Sequence, residues 1–162
     1  MRFTTMPLRT LALMGCGLWA VALAPAQLRV VTWNVSNYSG GHASAIQTAV
    51  YGEFEGRSMS PDIIIGQEFL SSSAMTQFRT ALNDATGSPG DWDGVYVASP
   101  DTSNVLFYRT SKLDFVTSQV VSYGGSYPSG PRHAVRFDVR LAGGYRYTSH
   151  STILSCYASH MK

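Results

Sequence analysis

Cysteine, charged residues and long apolar runs are all scarce in this sequence. It contains two cysteines, Cys16 and Cys156, and only 14% of its 162 residues are charged. No Cys/His cluster with zinc-ligand spacing is present, which argues against a structural zinc site. Hydrophobic residues make up 44% of the chain, which is enough for one packed domain and excludes a disordered-type composition.

The N-terminal segment is typical of a secretory signal peptide. Positively charged residues precede an apolar run from Leu11 to Leu23, and the small-residue sequence Ala24-Pro25-Ala26 follows it. This run is shorter than the ~20 residues needed to cross a bilayer core, so a stable membrane span is disfavoured. We predict a signal peptide at residues 1–26, a mature domain at 27–162, and a secreted or periplasmic protein after bacterial-type export.

The two cysteines leave one alternative open. Leu13-Met14-Gly15-Cys16 faintly resembles a bacterial lipoprotein box, but the apolar stretch continues past Cys16, where a lipidated cysteine should end it. Cleavage after Ala26 leaves only Cys156, which cannot form an internal disulfide. Cys156 is therefore expected to be a small buried strand residue, or to pair with a partner outside this sequence.

Charge gives a weaker indication of the partner. Without the signal peptide, ten Lys and Arg residues face ten Asp and Glu residues, so the mature chain is formally neutral. A strong nonspecific DNA-binding protein would normally carry a basic excess. Basic residues are concentrated towards the C-terminus and could attract phosphates, although Arg136 and Arg140 alternate as ordinary solvent-facing strand residues do.

The hydrophobic pattern predicts strand, helix, strand, helix and then mostly antiparallel strands. Residues 28–34 and 63–68 are expected to be buried strands, with helices over 42–54 and from Ser71 onward. Further strands are predicted at 94–98, 104–109, 115–123, 134–141 and 145–159. This order is typical of an α+β layered fold.

Polar side chains stand at the ends of the first two strands. Glu68 follows Ile63-Ile64-Ile65-Gly66-Gln67, and a carboxylate on such a rigid element suits Mg²⁺ or Mn²⁺, which bind one or two carboxylates plus water. Taken singly, Glu68 is more often a solvated strand-end acid, and Asn34 is more often an amide that satisfies a turn backbone. The two residues together are more specific than either alone.

Trp33-Asn34 and Gln67-Glu68, spaced by one helix, resemble the opening motifs of the endonuclease/exonuclease/phosphatase superfamily. Three later segments continue the resemblance: a mid-domain strand at 104–112, Pro131-Arg132-His133-Ala134, and Ser159-His160-Met161-Lys162. The resemblance covers nearly all of the mature sequence but only about the N-terminal half of that family's domain. The fold it implies is α+β, the first half of a four-layer α/β/β/α sandwich with mostly antiparallel mixed sheets.

The same resemblance implies a metal-dependent phosphoester hydrolase of nuclease or phosphatase type. Glu68 would bind Mg²⁺ or Mn²⁺, and Asn34 would orient the attacking water or a phosphate oxygen. Arg132 would clamp the phosphate, and His160 would hydrogen-bond or protonate a phosphate oxygen. The implied mechanism is in-line attack of an activated water on phosphorus. His42, His133 and His150 show no ligand spacing, and no role is assigned to them.

The family's later motifs, Gly-Asp-any-Asn and a final Asp-His pair, are absent from this sequence. Gly90-Asp91-Trp92-Asp93 imitates the first of them but precedes the arginine and histidine segments, so it is interpreted as a loop. The chain is therefore expected to be truncated at its C-terminal end and inactive alone. Its first sheet is expected to lack a partner layer, which would leave apolar faces exposed and the chain poorly soluble.

The substrate stays open at this stage, because nucleic acid, a phospholipid headgroup and an inositol phosphate all present the same phosphate. No obligate protein partner is inferred. Two alternatives to an enzyme also stay open. The chain could be an exported β-rich binding module in which Asn34 and Glu68 merely end strands, or a degenerate member of the fold that binds phosphate without turnover.

Overall fold

The described part of the chain has helices on one side and two larger sheets behind them. The computed structural model describes residues 27–125, 130–142 and 152–160, so the predicted signal peptide lies outside the described residues. The elements are β1 (Val30–Tyr38), α1 (Ala43–Tyr51), β2 (Glu53–Phe54), β3 (Arg57–Ser58), β4 (Ile63–Phe69), α2 (Ser72–Asn83), β5 (Trp92–Val97), β6 (Ser103–Arg109), β7 (Leu113–Ser122), β8 (Ala134–Leu141) and β9 (Ile153–Ala158). Within those ranges, none of the helices has the length and apolar character needed to cross a membrane.

The first sheet has the strand order β1-β4-β6-β5 and is buried on both faces at its centre. Strands β1 and β4 run parallel, whereas β6 is antiparallel to both β4 and β5. Ile64 faces the core beneath the helices, and Ile63 and Ile65 face the core on the other side. The uninterrupted isoleucine run is explained by this arrangement, because a strand covered on both faces needs apolar side chains at every position.

Helix α2 attaches the helical layer to this sheet. Ser71 caps its first turn by accepting a hydrogen bond from the Ala74 N–H at 3.0 Å. The buried side chains recur at three- and four-residue spacing, and Phe78 among them stacks on Phe107 of β6 with ring centroids 5.0 Å apart. A Phe78→Ala change at such a site typically costs about 3–5 kcal/mol of stability, so α2 is held mainly by this packing.

The second sheet has the order β7-β8-β9 and packs on the face of the first sheet that lies away from the helices. In β8, Val135, Phe137 and Val139 face the inter-sheet core, whereas Arg136 and Arg140 alternate with them on the outer side. This alternation is typical of a strand with one buried face. The chain thus forms three successive layers, helices, sheet and sheet, of the expected four-layer sandwich.

Several boundaries differ from the expected ones. The first helix ends at Tyr51, because the backbone becomes extended at Gly52, where an added Cβ would lie 2.4 Å from the Thr48 carbonyl oxygen. Phe54 belongs to the short β2–β3 hairpin and is 78% exposed, so its assignment to a helical apolar face was wrong. Of the strand expected over 145–159, Ile153–Ala158 is a strand, and residues 143–151 lie outside the described residues.

The expectation that the first sheet lacks a partner layer was also wrong. Strands β7 to β9 of this same chain cover it, and their inward side chains share one buried cluster with Ile63, Ile65 and Leu106. Cys156 lies in this cluster, buried and with a free thiol. Burial and the nearby Asp138 carboxylate both raise the pKa of that thiol.

Candidate metal and phosphate site

One edge of the two sheets brings the predicted site residues together, and we call this edge the rim. It is the edge at which β1, β4, β7 and β9 end and at which β6 and β8 begin. Because β1 and β4 are parallel, Asn34 and Gln67 are register partners, and the polar strand ends meet there. The two sheets are joined at the rim by Asn104, whose Nδ2 donates a hydrogen bond to the His133 carbonyl oxygen at 2.8 Å.

Glu68 lies at the centre of the rim. Its Oε1 accepts a hydrogen bond from Asn34 Nδ2 at 3.0 Å, and its Oε2 accepts one from the Asn37 backbone N–H at 2.9 Å. The residue has a φ of 67°, which bends the end of β4 away from a regular strand. Gly66 supports this bend, because a Cβ there would lie 2.6 Å from the Phe69 ring that packs beneath it. The carboxylate is thus held in one orientation by donors from β1.

The turn at the end of β1 supplies those donors through a strained backbone. Ser36 and Asn37 have φ values of 52° and 55°, in the left-handed region that residues other than glycine rarely occupy. The Ser36 N–H donates to Asn34 Oδ1 at 2.9 Å, so one end of the Asn34 amide is fixed while the other reaches Glu68. Backbone strain of this kind is concentrated at functional sites, where the surrounding structure maintains it.

His160 approaches the same carboxylate from the second sheet. Its Nε2 lies 3.3 Å from Glu68 Oε1, and its side chain is 25% exposed. The Nδ1 atom is buried and has no hydrogen-bond partner within residues 27–125, 130–142 and 152–160. Residues 34, 68 and 160 are far apart in the sequence, so their meeting is a property of the tertiary fold. An imidazole, a carboxylate and an amide together can bind a cation and hydrogen-bond an anion beside it.

Arg132 lies at the rim but not against Glu68. Its guanidinium forms an ion pair with Asp101, and its Nε donates to Thr102 Oγ1 at 3.3 Å. The side chain is 9% exposed, and its Nη1 atom is buried without a hydrogen-bond partner among the described residues. Arg132 is therefore held by the β5–β6 loop.

The polar groups at the rim fit a hard divalent cation. Among the described residues, no three His, Cys, Asp or Glu side chains are grouped as a ready-made metal cage. Mg²⁺ does not need such a cage, because it keeps several waters and binds through one or two carboxylates plus substrate oxygens. The Glu68 carboxylate, which the Asn34 amide orients, meets that requirement.

Sequence reasoning missed several residues that shape the rim. Asn104 was used only as evidence for a strand, yet it is 1% exposed and links the two sheets. Asn37 acts through its backbone N–H, which no side-chain pattern reveals. The Gly90–Asp93 segment lies at the opposite end of the sheets, and Trp92 and Asp93 already belong to β5, so its interpretation as a loop was only partly right.

No protein-family model and no curated protein sequence matches this chain. Solved structures do match this chain. A humanised D. rerio TDP2 carrying 14 mutations superposes with a TM-score of 0.50 and 15% identity, over 83% of this chain and 50% of that one. The catalytic domain of human Nocturnin with a bound sulfate anion gives a TM-score of 0.41 and 12% identity, over 64% of this chain and 38% of that one.

The similarity to TDP2 establishes the fold. TDP2 has the endonuclease/exonuclease/phosphatase fold, and this chain spans about half the length of that structure. The fold expected from the Trp33-Asn34 and Gln67-Glu68 motifs is therefore confirmed, as is its α+β layered architecture.

Proposed function

We propose that this chain carries the metal-binding half of an exported, Mg²⁺- or Mn²⁺-dependent phosphoester hydrolase. The observation that carries the proposal is the convergence of Asn34, Glu68 and His160 at the rim, with Glu68 Oε1 3.0 Å from the amide and 3.3 Å from the imidazole. A carboxylate that only ended a strand would need neither an oriented amide nor an imidazole from another sheet. The endonuclease/exonuclease/phosphatase fold supports a phosphoester as the substrate class.

In this proposal Glu68 holds the cation, which when bound would polarise a phosphoryl oxygen and lower the pKa of a bound water. Asn34 fixes the Glu68 carboxylate and would orient the attacking water or a phosphate oxygen, and Asn37 keeps Glu68 in place through its backbone N–H. His160 would turn its Nε2 from the Glu68 carboxylate to a phosphate oxygen once a cation occupies that carboxylate. Donors fixed in this way stabilise charge that develops on phosphorus during in-line attack by water.

Arg132 supplies a second contact to the phosphate group in this proposal. Its pairing with Asp101 fixes the guanidinium plane, and Nη1, which has no partner among the described residues, would supply the donor once a phosphate displaces the atoms that cover it. Because the pair is formally neutral, Arg132 would orient the phosphate by a directional hydrogen bond more than by net charge. The Gly-Asp-any-Asn and Asp-His motifs would activate water in a complete site, so we propose that this chain binds phosphate but is inactive alone.

Export is also part of the proposal. Residues 1–26 have the charged, apolar and small-residue regions of a signal peptide, and cleavage after Ala26 would release residues 27–162 outside the cytoplasm. Mass spectrometry of the mature protein recovered from the periplasm or medium would test this. An N-terminus at Gln27 is expected, and a lipid on Cys16 would instead support the lipoprotein alternative.

The decisive experiment measures thermal stability with and without MgCl₂ or MnCl₂. A cation at about ten times its dissociation constant should stabilise the folded chain by about 1.4 kcal/mol, and Glu68→Gln should abolish that gain. Glu55→Gln is a matched control, because Glu55 is an exposed glutamate with a similar φ of 50° in the β2–β3 turn. Wild-type protein that is indifferent to both metals would contradict the proposal and favour an exported binding module.

A further inference from the structure

A row of aromatic and imidazole side chains extends along the rim away from Glu68. In the second sheet Ser122 pairs with Ala134, and Val135 pairs with Ala158. Continuing both ladders places Tyr123 beside His133 and His133 beside His160. Neighbouring strands are about 4.8 Å apart, so this extension of the ladders would place Tyr123 about 10 Å from His160. The row therefore begins at the proposed phosphate position and ends at Tyr123.

The side chain of Tyr123 is largely exposed to solvent. It is 79% exposed, although its ring contacts the His133 ring edge-to-face, with centroids 5.2 Å apart and an angle of 78° between the planes. One contact therefore fixes the ring while most of its surface stays open to solvent. Aromatic rings arranged in this way can accept a second ring by stacking.

The histidine that supports Tyr123 is itself held on several sides. His133 Nδ1 accepts a hydrogen bond from the Gly124 backbone N–H at 2.9 Å. The His133 backbone N–H donates to Ser99 Oγ at 3.1 Å. Its carbonyl oxygen accepts the hydrogen bond from the buried Asn104. His133 therefore contacts both the Tyr123 ring and Asn104, the residue that joins the two sheets. These contacts hold the Tyr123 ring in place relative to the rim.

We propose that Tyr123 stacks on an unpaired nucleobase of the substrate, next to the phosphate bound at Glu68 and His160, so that the substrate is a single-stranded nucleic acid. This inference rests on the proposed function. Base stacking on exposed aromatic side chains is the usual mode of recognition for single strands, and a paired base has no free face to offer. A phospholipid headgroup or an inositol phosphate has no aromatic face for Tyr123 to contact.

Charge neutrality fits the same substrate class. The mature chain has equal numbers of basic and acidic residues, so it lacks the basic excess that would attract a double-stranded backbone without regard to sequence. Stacking adds to the electrostatic attraction, because every base has a π-face. A contribution from Tyr123 would therefore be separable from binding to the phosphates.

The test compares two fluorescent oligomers of equal length in the presence of Mg²⁺, a single-stranded oligonucleotide and the same phosphodiester chain with abasic sites. Fluorescence anisotropy gives both dissociation constants for the full-length chain. We expect wild type to bind the base-bearing oligomer about tenfold more tightly, and Tyr123→Ala to remove most of that preference. Tyr123→Phe should restore it, whereas Tyr123→Leu should not, because leucine is apolar but not aromatic.

Phe54→Ala is the matched control, since Phe54 is as exposed as Tyr123 but belongs to the hairpin between α1 and β4, at the far end of the first sheet. This variant should keep the full preference for bases. Equal binding of both oligomers by wild type, or a preference that survives Tyr123→Leu, would overturn the stacking inference and leave the proposed function intact. Wild type that binds neither oligomer would overturn both.

Discussion

At the end of the sheets where β4 begins, Asp62 is 2% exposed and accepts hydrogen bonds from the Arg29 N–H at 2.9 Å and from Lys112 Nζ at 2.6 Å. At the rim, in contrast, His160 and Arg132 each have a buried nitrogen with no partner in the part of the chain that the structure describes. The two ends belong to the same strands and share the same cores. They differ in whether their polar groups are already satisfied by the protein.

Asp91 also lies at the end of the sheets where β4 begins, which we call the stable end, and its carboxylate is likewise satisfied by the protein. Burial alone would raise the pKa of its carboxyl, but hydrogen bonds from Ser111 and Arg109 outweigh burial and lower that pKa. The Asp91 carboxylate therefore already has hydrogen-bond partners within the protein. Left-handed backbone occurs at both ends, at Ser36, Asn37 and Glu68 in the rim and at Glu55 and Ser60 before β4, so strain does not distinguish them. The difference between the two ends lies in which polar side-chain atoms have partners.

The largest effect is expected from Asp62→Ala at the stable end. The substitution leaves the Arg29 N–H without its acceptor and Lys112 without its ion-pair partner, and it should lower the free energy of unfolding by about 3 kcal/mol. Urea denaturation measures this loss. Metal-dependent stabilisation should persist in the folded fraction, and its disappearance would show that the two ends are not independent.

A smaller loss is expected from Asn37→Ala at the rim. Alanine lacks the local hydrogen bonding that lets asparagine occupy the left-handed region, so unfolding should become easier by about 1 kcal/mol. Asn37→Gly is the control, because glycine adopts this conformation freely and keeps the N–H group that contacts Glu68. If both variants lose stability equally, the backbone at Asn37 is not under the strain inferred here.

His160→Leu should separate binding from stability. It removes the buried Nδ1 atom that lacks a partner, so the free energy of unfolding should stay constant or rise by up to about 1 kcal/mol. Affinity for inorganic phosphate in the presence of Mg²⁺, measured by calorimetry, should fall because the Nε2 donor is lost. A large loss of stability would mean that His160 holds the sheets together and is not reserved for a ligand.

The smallest effect concerns the core that lies between the two ends. Because burial and Asp138 raise the pKa of the Cys156 thiol, less thiolate is present near neutral pH, and the folded chain should react with Ellman's reagent at least about tenfold more slowly than the unfolded chain. The rate in denaturant is the internal control. Fast labelling of the folded chain would show that the inter-sheet core opens readily.

Much of the fold could be predicted because its elements have local causes. The Ile63–Ile65 run, the Ser71 cap and the alternation along β8 correspond to β4, α2 and β8 with small boundary errors. The clearest error has a local cause that the spacing of apolar residues did not show. Phe54 has helical spacing, but the backbone becomes extended at Gly52, so the helix ends at Tyr51.

The candidate site was only partly accessible from sequence. Asn34, Glu68 and His160 were selected on a family resemblance, and the structure brings both Asn34 and His160 within 3.3 Å of Glu68 Oε1. Arg132 was selected in the same way, but its ion pair with Asp101 involves a loop that no motif marks. Asn37, Asn104 and Tyr123 carried no signal, because a backbone donor, a link between sheets and an exposed ring depend on which strands become neighbours.

The sequence by itself determined which segments become strands and helices, because side-chain periodicity and capping act over a few residues. It also determined the chemistry available at strand ends: one carboxylate, several amides and two imidazoles. Only the tertiary structure decided that these groups share one rim, since residues 34, 68 and 160 meet through strand register and sheet packing. The difference between an end whose polar groups have partners and an end where some lack them among the described residues is likewise a tertiary property, because it depends on which polar groups find partners once the sheets have packed.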